Sequence, residues 1–383
     1  MAENIIPYIF YIMIYLFIFT TFKGIVGKSG NIKSTLLQDL HLTKILADMN
    51  PSSQIQEILF QMIKCKLSPN ISFVHDLSEL LGISYDSAYR RIRGEKELSL
   101  AELKSICLHY NVSIDALFDF NSNHVIFNSL ALGEDGFTFE NWLQSLLEGI
   151  KRIYNSQQRE IIYAAKDLPV FYYFEFPEIA AFKIYFWHKT LIPASEYENK
   201  LITLEAPEHL FDIGRQMLSY YIKIPTIEIW SEATIASILN QIEYCFVSGF
   251  FAQTEDVFRL CDVLDSWLNH VQHQAECGFQ FRLGSPCEGI ENSYKLFNNE
   301  VLVSDNTILV SMDGQKTSYY TYNVINQLIT TNPVFCNQVD KTLRNLMQKS
   351  TMISGTSAKE RHRFFNKLHE SVKALRTRIE RME

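Results

Sequence analysis

Arg90, Arg91, Arg93 and Lys96 stand in one short run with Ser84, Tyr85, Asp86, Ser87 and Tyr89, in the stretch SYDSAYRRIRGEK. Guanidinium and ammonium groups are suited to phosphate oxygens, where they supply affinity and register but little sequence information. Hydroxyl and carboxylate groups at the start of a helix can instead reach base edges in the major groove. On this division Tyr85, Asp86, Ser87 and Tyr89 are the candidates for base readout, and Ser84, Arg90, Arg91, Arg93 and Lys96 for phosphate contact. The chemistry expected is recognition of a polyanion, with no bond made or broken.

These side chains need a rigid helix held clear of its neighbours. Ile55, Ile58, Leu59, Met62 and Ile63 recur at steps of three and four, which predicts an amphipathic helix from Ser53 that Pro69 and Asn70 stop. A second helix over Val74–Leu81 buries Leu77, Leu80 and Leu81, and Gly82 supplies a residue that tolerates the left-handed conformation at its end. Ile83 turns inward, Ser84 caps the next helix over Tyr85–Ile92, and Gly94 ends it. Two further helices, Leu98–His109 and Ser113–Phe118, are capped by Ser99 and Ser113.

The motifs L-x-x-L-L-G-I-S (from Leu77), R-I-R-G (from Arg91), L-S-L-x-E-L (from Leu98) and V-S-I-D-A-L-F (from Val112) cover every junction between these helices. Over about residues 53–119 the chain resembles the Cro and phage-repressor type of helix-turn-helix domain found in XRE-like regulators. The resemblance implies a five-helix bundle, double-stranded DNA as partner, a homodimer on two half-sites, and a reader joined to a sensing or assembly domain. The sequence departs from the family pattern at Arg91, where an apolar residue is usual, while Ile92 takes the inward role one position later. The rotation of the third helix is therefore open by part of a turn. The competing structural reading is a small helical bundle used for protein contact.

At 383 residues, 47% hydrophobic and 13% aromatic, the chain has material for two or three cores. A net charge of −8 excludes indiscriminate attraction to polyanions. Residues 121–339 hold 26 acidic and 13 basic side chains, residues 340–383 hold 5 acidic and 11 basic, and residues 49–120 hold 9 acidic and 7 basic. A nucleic-acid surface must then be local, acting within a Debye length of ~8 Å. The seven cysteines are odd in number and widely spaced, which favours a reducing compartment over a disulfide framework.

Residues 1–48 form a hydrophobic N-terminal extension. Ile5–Phe22 is uncharged and just long enough to span a membrane, with Lys23, Lys28 and Lys33 holding its C-terminal side in the cytoplasm. Its six Ile, four Phe and three Tyr, without Ala, Gly or Val, are equally the composition of translated upstream sequence, with Met49 as an alternative start. Either way the remaining chain is expected to be cytoplasmic.

The reader is assigned to 49–120, followed by a linker at 121–136 marked by Asn121-Ser122-Asn123 and Gly133–Gly136. From 137 to 356 the pattern predicts an α+β regulatory domain, so that the fold class is mainly α with an α+β second domain. Helices are expected at Phe139–Tyr154, Pro177–Leu191, Pro207–Tyr221, Ala233–Phe251 and Thr254–Cys277. Strands are expected at Glu160–Tyr163, Val170–Phe176, Thr226–Trp230, Lys295–Val303 and Thr307–Met312, the last joined to Thr317–Tyr320 by Asp313-Gly314. The dense aromatics between Phe171 and Trp187 are read as core, with a ligand pocket or partner groove as the alternative.

His270, His273 and Cys277 share a helical face, a spacing that can converge on zinc with Cys261 or Cys287, but no paired CxxC accompanies it and no metal or cofactor is expected. Gly27-Lys28-Ser29 lacks the leading glycine of a phosphate-binding loop, since Phe22 stands there. No catalytic residue is assigned, and the rival reading is an enzyme over about 137–350 that the reader targets. Finally, Phe365, Leu368, Val372, Leu375, Ile379 and Met382 form an a/d seam on a basic amphipathic helix over 357–383, to pack either in cis or with a second copy.

Overall fold

The computed structural model describes residues 51–66, 72–110, 112, 114, 125–129, 138–192, 194–301, 305–322 and 325–382. Ile5–Phe22, Met49, Pro69, Asn70, Asn121–Asn123 and Gly133–Gly136 lie outside them, as does the fifth reader helix apart from Ile114. Among the described residues no helix is long and apolar enough to cross a membrane. The chain divides into two compact units, residues 1–123 and 124–383.

In the first unit, α1 (Pro51–Lys66), α2 (Phe73–Leu81), α3 (Tyr85–Ile92) and α4 (Leu100–His109) enclose a small core. Leu59, Phe60, Ile63, Phe73, Leu77, Ala88, Ile106, Cys107 and Val112 are buried there. The helix starts follow the serines: Ser84 accepts the Ser87 amide at 3.3 Å, and Ser99 forms a reciprocal capping box with Glu102.

The second unit is built on an eight-stranded mixed sheet in the order β1-β7-β6-β5-β2-β3-β4-β8. Its strands are β1 (Asn128–Ser129), β2 (Arg159–Ala164), β3 (Thr226–Trp230), β4 (Tyr294–Asn298), β5 (Thr307–Met312), β6 (Gln315–Tyr322), β7 (Asn326–Thr330) and β8 (Thr351–Met352). Among the described strands of this sheet the parallel pairs are β2–β3 and β3–β4, and each needs a helical crossover. The β5–β6 hairpin turns at Asp313 (φ 48°) and Gly314 (φ 84°), the doubly positive pair that a two-residue type I′ turn demands.

Helices follow as α5 (Phe139–Asn155), α6 (Pro177–Thr190), α7 (Glu208–Tyr221), α8 (Ala236–Val247), α9 (Glu255–Cys277), α10 (Pro333–Gln348) and α11 (Ala358–Glu380). Strand periodicity sorts the side chains: Ile161 and Tyr163 enter the large core with Trp230, Tyr294 and Leu296, while Ile162, Ala164, Ile227 and Ile229 meet α10 on the other face.

Several expectations about the elements need correction. Val170–Phe174 is a 3-10 turn after Pro169, not a strand, because Tyr172, Tyr173 and Phe174 all enter the same core, whereas a strand would send every second one to its opposite face. Asn128–Ser129, expected in the linker, pair with Leu328–Ile329 at the sheet edge. The helix expected over Ala233–Phe251 begins as a 3-10 turn and ends at Val247. The strand expected over Lys295–Val303 ends at Asn298, and no element was expected at β7, at β8 or at α10, whose signal is the Asn332 cap before Pro333.

The C-terminal seam packs in cis. Phe365, Leu368, Val372, Leu375 and Ile379 are buried in the large core, whereas Met382 is exposed. The basic face of α11 meets the acidic faces of its neighbours through Arg376–Asp262, His369–Asp265 at 2.7 Å and a two-bond Arg378–Glu243 pair at 2.9 and 2.7 Å.

Candidate nucleic-acid interface

Gly82 closes α2 in the left-handed region (φ 62°), with its amide and that of Ile83 donating back to Glu79 and Ser78. This turn throws the chain into Ser84 and starts α3 immediately, which presents the first turn of α3 on the surface. Tyr85 is 51% and Tyr89 47% exposed, and Ser84, Asp86, Arg90, Arg93 and Lys96 are exposed, with Ser87 half-buried. Residues 85, 86, 89, 90 and 93 recur at one helical face, so Tyr85, Asp86 and Tyr89 share a side with two of the cations, Arg90 and Arg93, whereas Ser87 lies off it. Tyr85 is braced edge-on by the His75 ring of α2, centroids 5.7 Å apart.

Arg91 does not belong to that face. It is 3% exposed, its Nη2 donates to Glu102 Oε1 at 2.6 Å and its Nη1 donates to the Ser87 carbonyl at 3.1 Å. The phosphate role expected of Arg91 is therefore withdrawn. A helix turn places position 91 beside Ala88 on the inward side, and the guanidinium survives there because a carboxylate meets it. This settles the rotation that the sequence left open: Arg91 fills the inward position and Ile92 is only partly buried.

Burial raises the Glu102 carboxyl, but hydrogen bonds from the Ser99 amide and the Arg91 guanidinium outweigh it and hold the group below its ordinary value. One carboxylate thus caps α4 and ties α3 to it. Replacing Ser99 with alanine should cost about 1 kcal/mol and speed amide exchange in the first turn of α4, since an orphan donor is exposed. Exchange unchanged in that turn would reject the box as a structural element.

Gln56 on α1 is a second tie that the sequence did not reveal. Its Nε2 donates to the carbonyls of Arg91 at 2.6 Å and Lys96 at 2.9 Å, and its Oε1 accepts the Leu98 amide at 3.0 Å. The turn after α3 is thereby fixed although it has no regular structure. Among the cations, Arg93 pairs with Glu95 at 2.7 Å and Arg90 lies 3.9 Å from the same carboxylate, all on the surface. Such pairs are worth little in water and exchange readily for phosphates.

In the second unit a strongly perturbed carboxyl is that of Glu228 on β3, fully buried, whose carboxylate accepts from Tyr172 at 2.8 Å, Tyr221 at 2.5 Å and Tyr294 at 3.1 Å. Burial pushes its pKa up to about 7 against the three hydroxyls, which pull it down. A separate cleft of about 500 Å³ is lined by Arg159, Lys223, Gln280, Arg282 and Glu288 among others. The zinc candidates divide: His270 is buried with Nε2 on the Phe281 carbonyl at 2.9 Å and Cys261 lies in the core, whereas His273, Cys277 and Cys287 come together.

No curated protein and no solved structure matches the chain. Residues 60–128, which contain the exposed helix α3 with α2 and α4, match the family model of the BetR domain, a helix-turn-helix-like DNA-binding domain family associated with transcription regulation.

Proposed function

We propose that the protein is a cytoplasmic, sequence-specific transcriptional regulator that lays α3 in the major groove of double-stranded DNA. The observation that carries this reading is the single exposed face of α3, with Tyr85, Asp86 and Tyr89 ahead of Arg90 and Arg93 on a serine-capped helix. Its first turn suits base edges and its last turn suits phosphates, as in groove-docked helices of this type. The finer likeness to Cro and phage-repressor readers of the XRE type is part of the proposal, supported by the order of α1 to α4 and the turn at Gly82. In the same reading the chain is not an enzyme, and it binds as a homodimer because two half-sites multiply a modest single-site affinity. The second unit serves dimerisation or effector sensing, and its 500 Å³ cleft lies in the size range of small-molecule sites.

Selection of bound fragments from genomic DNA by the purified full chain tests this. An enriched motif is expected, and recovery no better than random fragments would reject sequence-specific recognition. With the motif in hand, Arg90→Ala should weaken binding to all DNA and lower the slope of log affinity against log salt by about one. Tyr85→Ala should instead relax preference at one position while leaving that slope alone. A mutant Tyr85→Ala protein that enriches the wild-type motif would remove Tyr85 from the readout face.

A further inference from the structure

Beyond the reader, one cluster of side chains has a donor chemistry that neither the fold nor DNA recognition uses. Helix α9 ends at Cys277, with Gly278 in the left-handed region (φ 74°), and the chain then runs as a loop over 279–293 before β4. Loops of this length without regular structure are uncommon in compact domains and are often functional. This one is held at three places. The Tyr294 amide donates to the Gly278 carbonyl at 3.0 Å and closes its base. The Phe281 carbonyl accepts from Gln274 at 2.7 Å and lies 2.9 Å from the His270 ring. Arg282 pairs with Glu175 at 3.0 Å, and the same carboxylate accepts the Leu283 amide.

The path so fixed returns Cys287 to the end of α9, where its Sγ lies 3.0 Å from that of Cys277. His273, one turn earlier on the same helix, brings a ring nitrogen so that the three donor atoms lie within 4.8 Å of one another. A tetrahedral zinc ion with bonds of about 2.3 Å to sulfur and about 2.0 Å to nitrogen needs donors separated by roughly 3.3 to 3.8 Å. Shifts of a few tenths of an ångström to about an ångström, taken mainly by the exposed His273 and Cys287 side chains with Cys277 half-buried, meet that requirement. The charged neighbours of Cys277 are Glu276 and Arg361, which pair with each other at 3.6 Å and so largely offset, the guanidinium also donating to the Ile353 and Gly355 carbonyls.

We propose that His273, Cys277 and Cys287 form a binding site for a zinc-class divalent cation. Two sulfurs and an imidazole suit zinc and discriminate against magnesium and calcium, which prefer oxygen. Three protein donors leave a fourth position for water or an incoming ligand. The bound ion would tie α9 to the loop whose Phe281, Arg282, Pro286 and Glu288 wall the 500 Å³ cleft. The inference is independent of the DNA reading, since it concerns the second unit alone.

The test is titration of the reduced, metal-free full chain with cobalt(II) as a spectroscopic stand-in. One equivalent is expected to give a thiolate-to-cobalt charge-transfer band and the intense visible bands of a tetrahedral ion, both removed by zinc. Cys287→Ser should abolish the charge-transfer band or reduce it by about half, and His273→Ala should weaken binding, with far-ultraviolet circular dichroism showing both variants folded. In the unmodified chain zinc should also protect Cys277 and Cys287 from alkylation. Absence of the thiolate band, cobalt binding indifferent to both substitutions, or a Cys277–Cys287 disulfide that forms in air as fast with equimolar zinc as without it would each overturn the site.

Discussion

Replacing Arg91 with alanine is expected to destabilise the first unit by about 3 kcal/mol while leaving the salt dependence of DNA binding unchanged. Breaking a buried ion pair by removing one partner costs roughly 3 to 5 kcal/mol. The lower end applies because the Glu102 side chain remains 22% exposed and keeps its bonds to Ser99. A unit of this size has stability on the order of 5 kcal/mol, so the loss takes most of it. Hydrogen exchange over residues 72–110 would report it directly as lost protection of α3 and α4. DNA affinity would fall in proportion to the unfolded fraction, without the change of about one in salt slope that marks a lost phosphate contact. Arg91→Met should recover most of the protection, because an unbranched apolar chain fills the same inward position. An Arg91→Ala protein with unaltered exchange and a shallower salt slope would put the guanidinium back on the DNA.

The contrast between Arg90 and Arg91 shows where the sequence was legible and where it was not. The turn before α3 was readable because Gly82 and Ser84 act locally, through a left-handed backbone and a side-chain cap. The inward turn of Arg91 was not, because its partner Glu102 sits on the next helix and only the packed bundle brings the two together. Adjacent arginines look alike in sequence, yet a step of about 100° around the helix separates water from core. Gln56 was missed for the same reason: its three bonds reach residues 35 to 42 positions away.

The second unit shows the same limit on a larger scale. Thr226–Trp230 and Thr307–Met312 were readable as strands from β-branched and aromatic content, and the Asp313-Gly314 turn from its backbone demand. Val-Phe-Tyr-Tyr-Phe carried the same propensity and became a 3-10 turn, because its aromatics fill the core between α7 and the sheet. The approach of Cys287 to His273 and Cys277 depends on the closure of a whole loop, which spacing alone does not encode.

Glu228→Gln is expected to remove a large pH dependence from the second unit. The unfolded chain releases the Glu228 proton near 4.5, whereas burial holds it in the folded state up to about 7. Across that window the folded protein binds more protons, so its stability falls as the pH rises, by about 3 kcal/mol in all. The contribution is favourable below the lower value and fully lost above the upper one. Glutamine carries no charge, keeps the shape, and can still accept from Tyr172 and Tyr221 while donating to Tyr294. All four tryptophans, Trp142, Trp187, Trp230 and Trp267, lie in the second unit, so urea unfolding followed by their fluorescence reads this unit alone. The variant should gain on the parent by about 3 kcal/mol between about pH 4.5 and about pH 8, other groups cancelling in the comparison. Glu228→Leu should be worse than glutamine at every pH, because it leaves three buried hydroxyls without an acceptor. A constant gap between parent and Glu228→Gln over the whole range would mean that the carboxylate titrates as it does in water, and the three tyrosines would then need another explanation. Perturbed acids at work in catalysis stand in clefts that a substrate can enter. Glu228 is closed off by Tyr172, Tyr221 and Tyr294, so the physical reading of its displaced pKa is a cost of burial that the core bears to orient its aromatics.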